Sequence, residues 1–563
     1  MVNPIVNVVN NENIYALLQW IPYFYNQINA LPGMKNTLLC FFIAVSFNSF
    51  SINKEKKNFI YSSSSLIIEA LQTKNSPEIT IDSLAIAEFF TNYPKLKGYE
   101  AQVFEVYRRN HSSTIWFANN KINELGILLH QNAGNLFEEG LEIKIPYKEK
   151  LDLFLTQSNQ EIFPNTEIEL LLTSVYFFYT QHVFQGLDEE STADLGWYIP
   201  RKKESFVTYL DTLLLNPKLL AHDESKMFKQ YYRLKDALQK YRSIEAKGTW
   251  QTIVMTNSNP IAVGSRSSVV YKVRERLNFL GFLKVNNKSL KYDKELAQAV
   301  WKYKKNRGIA VNDFINSRFL AALNVPIADR IKSIIINMER CRWISSDFNQ
   351  ADEYIFINIP SYEMNYFKDR KSILNSKVVV GKTMNQTVIF SGMLQYVVFS
   401  PYWNVPKSII DKEITPAIKK NKDYLANHNM EWNEGNIRQK PGPKNSLGLV
   451  KFLFPNSNAI YLHDTPSKSL FKEEKRAFSH GCIRLEKPIE LAYLLVKDDK
   501  YWTMEKLNNA FHSKKEIWYT LKNKIPVYIG YFTSWVNEND EVQFYDDVYA
   551  RDECLTTYLL SGQ

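Results

Sequence analysis

YLHDTPSKSLFKEEKRAFSHGCIRL, residues 461 to 485, holds two histidines and one of the chain's four cysteines. Four roles are open to Cys482: nucleophile, metal ligand, disulfide partner or buried thiol. Upstream, Lys451 to Phe454 reads as a strand ending at Pro455-Asn456, and Ala459 to Leu462 as a second strand that delivers His463. Downstream, Pro488 opens a helix in EKPIELAYLLV. A thiol near a helix start and beside basic side chains is expected to have its pKa lowered from about 8.5, which favours the reactive thiolate. A histidine then withdraws the thiol proton and later returns it to a leaving amine, a role that typically contributes about 10²- to 10⁴-fold. His463 is the first candidate for that base and His480 the second. Gly481 permits a sharp turn and leaves backbone N–H groups to face a developing oxyanion. Arg484 shares a face with Cys482 if the segment is extended, and suits a substrate carboxylate or the oxyanion region. The plainer readings are a buried structural cysteine, a surface arginine and a metal pair formed by the two histidines.

The rest of the chain narrows the choice. At 563 residues it is long enough for several units. A hydrophobic content of 45% with 23% charged residues is that of a globular protein, and 14% aromatic residues supply large cores and sugar-stacking or peptide-binding surfaces. The net charge of +10 suits an anionic partner, but basic and acidic residues are interspersed, so nucleic acid is not expected. Residues 34–51, MKNTLLCFFIAVSFNSFS, have the short positive start, apolar run and small polar end of a secretory signal peptide, with residues 1–33 read as an extension from a start codon called too early. The apolar run is short for a bilayer span of about 20 residues. Export removes Cys40 and leaves Cys341, Cys482 and Cys554, an odd number, so one thiol stays unpaired. A Cys341–Cys554 bridge is open. No CxxC spacing occurs, and no metal or cofactor is expected.

Residues 66–250 alternate apolar and charged positions at helical spacing, as in SLAIAEFF, NELGILLHQ and ELLLTSVYFFYTQHVF, and read as a helical domain. Its isolated His111, His130, His182 and His222 have no ligand spacing. Residues 266–326 form a three-helix unit marked by Val273, Leu277 and Leu280, then Leu296, Val300 and Tyr303, then Phe319, Leu320 and Leu323, with Gly281 and Gly308 where helices should end. From Tyr354 the pattern turns to strands in YIFINIPSYEMNYF, KVVVGK, TVIFSGMLQYVVF and LVKFLF. Residues 400–448, inserted between two of these strands, are long enough to be a lid or binding loop. The fold class is therefore multidomain α+β, with a helical scaffold and a three-helix unit preceding a β-rich domain at 350–545.

The H-x16-H-G-C-x-R constellation resembles the signature of the L,D-transpeptidases, the YkuD-domain cysteine enzymes. The residues that match are His463, Ser479, His480, Gly481, Cys482 and Arg484. The 266–326 unit, with Asp293-x-x-Leu296-x-x-Ala299-Val300-x-x-Tyr303 and Leu323-Asn324, resembles a peptidoglycan-binding domain. Together with SPYWNVP and the RQKPGP to YLHDTP run, the arrangement is similar to the large YcbB-type enzymes of Gram-negative envelopes. The resemblance implies His463 as base, oriented by the Asp464 carbonyl or side chain. It implies Ser479 and Arg484 near substrate, and 400–448 as a capping subdomain whose Tyr402, Trp403 and Trp432 either face substrate or pack the lid. It further implies attack on the amide before D-Ala of a tetrapeptide stem, a thioester to Cys482, and a 3–3 cross-link to a neighbouring stem. Peptidoglycan stems, glycan at 266–326 and other wall-synthesis proteins are the implied partners, and a Gram-negative periplasm the implied location. L,D-carboxypeptidation, attachment of a protein to the wall, and a non-catalytic wall-binding scaffold are the alternatives. A papain-like protease is not supported, because here the histidine precedes the cysteine.

Overall fold

The computed structural model describes residues 79–118, 121–156, 165–201, 203–248, 250–255 and 259–561. The expected extension at 1–33 and signal at 34–51 lie outside the described residues. The helical region is built around Thr166–Thr180, a helix apolar on every side, in which each residue from Ile168 to Thr180 is buried. Such a helix must be central. Asn165 caps it by accepting from the Glu167 N–H at 2.8 Å, and Glu167 and Glu169 favour its N-terminus. The helices Ser83–Asn92, Glu100–Arg109, Glu124–Gly134 and Lys148–Thr156 pack around it. Three of the four isolated histidines of this region have local partners: His130 lies 2.7 Å from Asp152, His182 lies over Phe178, and His222 stacks on Tyr232.

Residues 266–326 contain the three expected helices, Ser268–Phe279, Lys294–Asn306 and Ser317–Leu323. Ser267, Asp293 and Asn316 cap their N-termini. Gly281 and Gly308, at φ +83° and +63°, follow the first two helices in the left-handed conformation that glycine tolerates. Arg307 joins this unit to the end of the chain, donating to the Val542 carbonyl at 3.2 Å and covering the Phe544 ring. The next helix, Ile327–Arg342, was not assigned from the sequence, and it packs against Lys229–Glu245.

The β-rich part holds one large sheet. Its strands are β1 (Trp197–Tyr198), β2 (Glu353–Asn358), β3 (Glu363–Lys368), β4 (Lys371–Gly381) and β5 (Ile389–Phe399). The insertion then contributes β6 (Trp403–Asn404), β7 (Met430–Asn433) and β8 (Asn436–Gln439) to a separate small sheet. The main sheet continues with β9 (Val450–Leu453), β10 (Leu462–His463), β11 (Ala477–Ser479), β12 (Ile483–Leu485) and β13 (Ile517–Gly530). The order is β9-β10-β12-β4-β3-β2-β13-β5-β1, with β11 on β4. Because β9 also pairs with β5, the sheet closes on itself and leaves β1, a strand from the helical region, on the outside of β5. Closure of this kind removes exposed strand edges. The insertion has its own core of Val405, Ile409, Ile414 and Ile437, and its β7–β8 turn is made by Glu434 and Gly435, both at positive φ.

The Cys341–Cys554 bridge left open by the sequence is not formed. Cys341 is enclosed in the interior and Cys554 lies exposed on the helix Arg551–Ser561, each as a free thiol.

Candidate active site

His463 reaches the site through the short strand β10, held between β9 and β12. It pairs with Lys451 on one side and, in a parallel ladder, with Arg484 on the other. Residues in register on adjacent strands present their side chains on the same face, so this pairing places imidazole and guanidinium side by side. The strand is shorter than the sequence pattern implied. Ala459 adopts φ +52°, which breaks the extended run before Tyr461, and its carbonyl lies 3.7 Å from the Cys482 sulfur.

The His463 ring is buried, and its Nδ1 lies 2.5 Å from the Asp464 carbonyl oxygen. A carbonyl only accepts, so Nδ1 carries the proton and Nε2 keeps its lone pair. Burial and the neighbouring Arg484 charge push the pKa down to about 3, leaving a neutral imidazole near pH 7. Asp464 acts on His463 through its backbone alone. Its carboxylate turns away to Lys468 at 2.5 Å and to the Leu449 N–H at 2.8 Å. Gly448, at φ +63°, leaves room for that carboxylate, since a Cβ there would stand 2.3 Å from it.

Cys482 is partly exposed and precedes β12 rather than a helix, so the expected depression of its thiol pKa is corrected. The helix Pro488–Val496 starts only beyond β12, so Cys482 is not in its first turn, where the dipole acts most strongly. Burial raises the thiol pKa, although the Tyr461 N–H, the Tyr461 hydroxyl and the Arg484 charge act in the opposite direction. Arg484 is itself an unpaired cation. No carboxylate among the described residues forms an ion pair with it, and its Nε is buried without a hydrogen-bond partner.

The remaining candidates divide by position. Ser479 is buried and braces the turn, donating to the Cys482 carbonyl at 2.6 Å and accepting from the Gly481 N–H at 3.1 Å. Gly481 has φ +118°, a conformation that strains any residue with a Cβ. His480 points outward, 3.3 Å from Glu413 of the insertion, so the two histidines face different partners. Trp403 packs against the insertion's small core, Tyr402 lies beneath Arg438, and Trp432 is 63% exposed. Two neighbours escaped the sequence reading. Tyr461 was legible in principle, since it stands two positions before His463. Thr387, whose hydroxyl donates to the Gly481 carbonyl at 2.8 Å, comes from a segment with no motif.

Residues 352–503 match the family model of the L,D-transpeptidase catalytic domain (YkuD), and residues 101–238 match a model described as a scaffold domain. A Haemophilus influenzae protein named "Putative L,D-transpeptidase" is 35% identical over 242 residues, which cover 39% of this chain and 48% of that protein. The chain thus spans about half the length of this curated relative. Among solved structures, an L,D-transpeptidase from Mycobacterium smegmatis is 12% identical, with 32% of this chain and 59% of that one covered at a TM-score of 0.19. One from Stackebrandtia nassauensis is also 12% identical, covering 49% and 97% at a TM-score of 0.20. Similarities at these scores carry no argument. The family-model match spans β2 through β12, including Cys482, His463 and Arg484. Residues 352–503 are thus similar to the L,D-transpeptidase catalytic domains of the YkuD family.

Proposed function

We propose that the protein is an L,D-transpeptidase that forms 3–3 cross-links between peptidoglycan stems, with Cys482 as nucleophile and His463 as general base. The observation that carries this reading is the parallel pairing of His463 with Arg484 beside the Cys482 thiol. It sets a neutral acceptor nitrogen beside a cation that itself acts on the Cys482 thiol, which supports the assignment of base and nucleophile. In the donor step, the sulfur attacks the carbonyl carbon of the amide before D-Ala while the thiol proton passes to His463 Nε2. The C–N bond then breaks and the D-Ala amine leaves with that proton, giving a thioester. The side-chain amine of a second stem attacks the thioester carbonyl and yields its proton to His463, which returns it to the departing thiolate. Burial holds both groups neutral at rest, so in this reading the proton passes from thiol to imidazole only as the C–S bond forms.

In this reading Arg484 receives a donor carboxylate, and the fork of its guanidinium matches that group. The insertion caps the site and the three-helix unit binds glycan. The setting is a Gram-negative periplasm, reached through the 34–51 leader. The test is mass spectrometry of the purified protein with a disaccharide-tetrapeptide, comparing wild type with Cys482→Ala. Cross-linked dimer and released D-Ala from wild type alone support the proposal. Tripeptide without dimer redirects it to carboxypeptidation, and cross-linking retained by Cys482→Ala overturns it.

A further inference from the structure

Behind the nucleophile loop lies a chain of buried hydrogen bonds that ends in the last part of the protein. The Thr387 hydroxyl donates to the Gly481 carbonyl at 2.8 Å and accepts from the Gly381 N–H at 2.9 Å. The Thr387 N–H donates to the Tyr549 hydroxyl at 3.2 Å, and that hydroxyl donates to the Gly381 carbonyl at 2.6 Å. Thr387 is fully buried, and Tyr549 lies well past residues 352–503. Tyr549 is held in turn by its backbone N–H on the Tyr531 hydroxyl, which donates to Asp547.

The consequence follows from peptide geometry. Across a trans peptide the C=O of one residue and the N–H of the next point in opposite directions. Anchoring the Gly481 carbonyl downward on Thr387 therefore turns the Cys482 N–H away from the buried side. Among the described residues no acceptor takes that N–H. Gly481, at φ +118°, has little intrinsic preference for this orientation of its peptide, so an external anchor is required. Ser479 fixes the other two groups of the turn, the Gly481 N–H and the Cys482 carbonyl, and leaves the Gly481–Cys482 peptide to Thr387.

We infer that Thr387 is a positioning residue for acyl transfer. It aligns the Gly481–Cys482 peptide so that the Cys482 N–H meets the oxyanion, and Tyr549 holds Thr387 in register. The inference rests on the transpeptidase reading above. A preorganised donor aimed at a developing oxyanion contributes to the transition state and little to ground-state binding, and losing one costs about 10²- to 10³-fold. A donor that is present but misaligned should cost less.

The test compares Thr387→Val, which keeps the shape and removes the hydroxyl, with Thr387→Ser, which restores it. Three readouts are taken on the full chain: turnover of the disaccharide-tetrapeptide, acylation by a carbapenem, and alkylation of Cys482 by iodoacetamide. Turnover and acylation pass through an oxyanion. Alkylation displaces iodide from a methylene carbon and forms none. Thr387→Val should lower kcat and the acylation rate by about tenfold or more. KM and alkylation should stay within about twofold, and Thr387→Ser should recover most of the loss. Tyr549→Phe, which releases the far end of the chain, should show the same pattern at smaller amplitude, and it carries the comparison if Thr387→Val does not fold. Acylation by Thr387→Val at the wild-type rate overturns the inference. So does a parallel fall in acylation and alkylation that Thr387→Ser does not repair, because that marks a structural role. Wild type that neither turns over nor acylates overturns the transpeptidase reading itself, and is thereby distinct from failure of the Thr387 comparison alone.

Discussion

At Cys482 and His463 the environment, not the residue type, sets the chemistry. Burial moves both groups toward their neutral forms, raising the thiol pKa and taking the imidazole down to about 3. A thiolate–imidazolium pair formed in advance would need the opposite shifts. Alkylation of Cys482, followed by peptide mass mapping to separate it from Cys341 and Cys554, should therefore rise with pH to a midpoint above the ordinary thiol value of about 8.5. A midpoint below about 7 would establish the ion pair. The sign for His463 is equally definite. It binds a proton only as pH falls through about 3, so kcat/KM should show no acid limb between about pH 5 and 8 arising from this residue.

Among the elements, the insertion stands apart. Its four buried aliphatics form a core separate from the main one, and the His480–Glu413 contact ties it to the nucleophile loop. Such a unit should open locally without unfolding the rest. Ile437 is fully buried at its centre on β8, and truncation of a buried Ile to Ala typically costs about 2 to 5 kcal/mol. Ile437→Ala should accelerate amide hydrogen exchange across 403–440 while exchange in β2, β5 and β13 stays at the wild-type rate. Equal acceleration in all of these would mean that the insertion folds only with the sheet.

At the scale of the whole molecule, regions that look separate in sequence share one continuous core. β1 extends the sheet from within the helical region. The helix Ile327–Arg342 is bound to the end of the chain: Asn337 donates to Thr533 at 2.8 Å and Arg340 to Asp552 at 2.7 Å, both largely buried. Breaking a buried pair of this kind is costly, because the remaining charge is left unpaired. Calorimetry should accordingly show the helical region and the sheet unfolding in a single transition. Two well-separated transitions would show that the shared core does not couple them.

Local patterns in the chain were enough for several features. Helical spacing marked the three helices of 266–326, glycines marked the ends of the first two, and the H-x16-H-G-C-x-R run marked the resemblance to the L,D-transpeptidase catalytic domain, because each rests on residues close together in the chain. Alternation identified β2, β3, β5 and β9, but it overextended β10, where the positive φ of Ala459 has no signature in residue type. What the tertiary structure decided was the setting of the chemistry. The pairing of β10 with β12 put Arg484 beside His463, and burial reversed the expected shift of the Cys482 thiol. Thr387 and Tyr549 were carried to the back of the nucleophile loop from before it and after it in the chain. Charge and hydrogen bonding at a site depend on what surrounds it in space, and residues 94 and 68 positions from Gly481 become its surroundings only when the sheet closes.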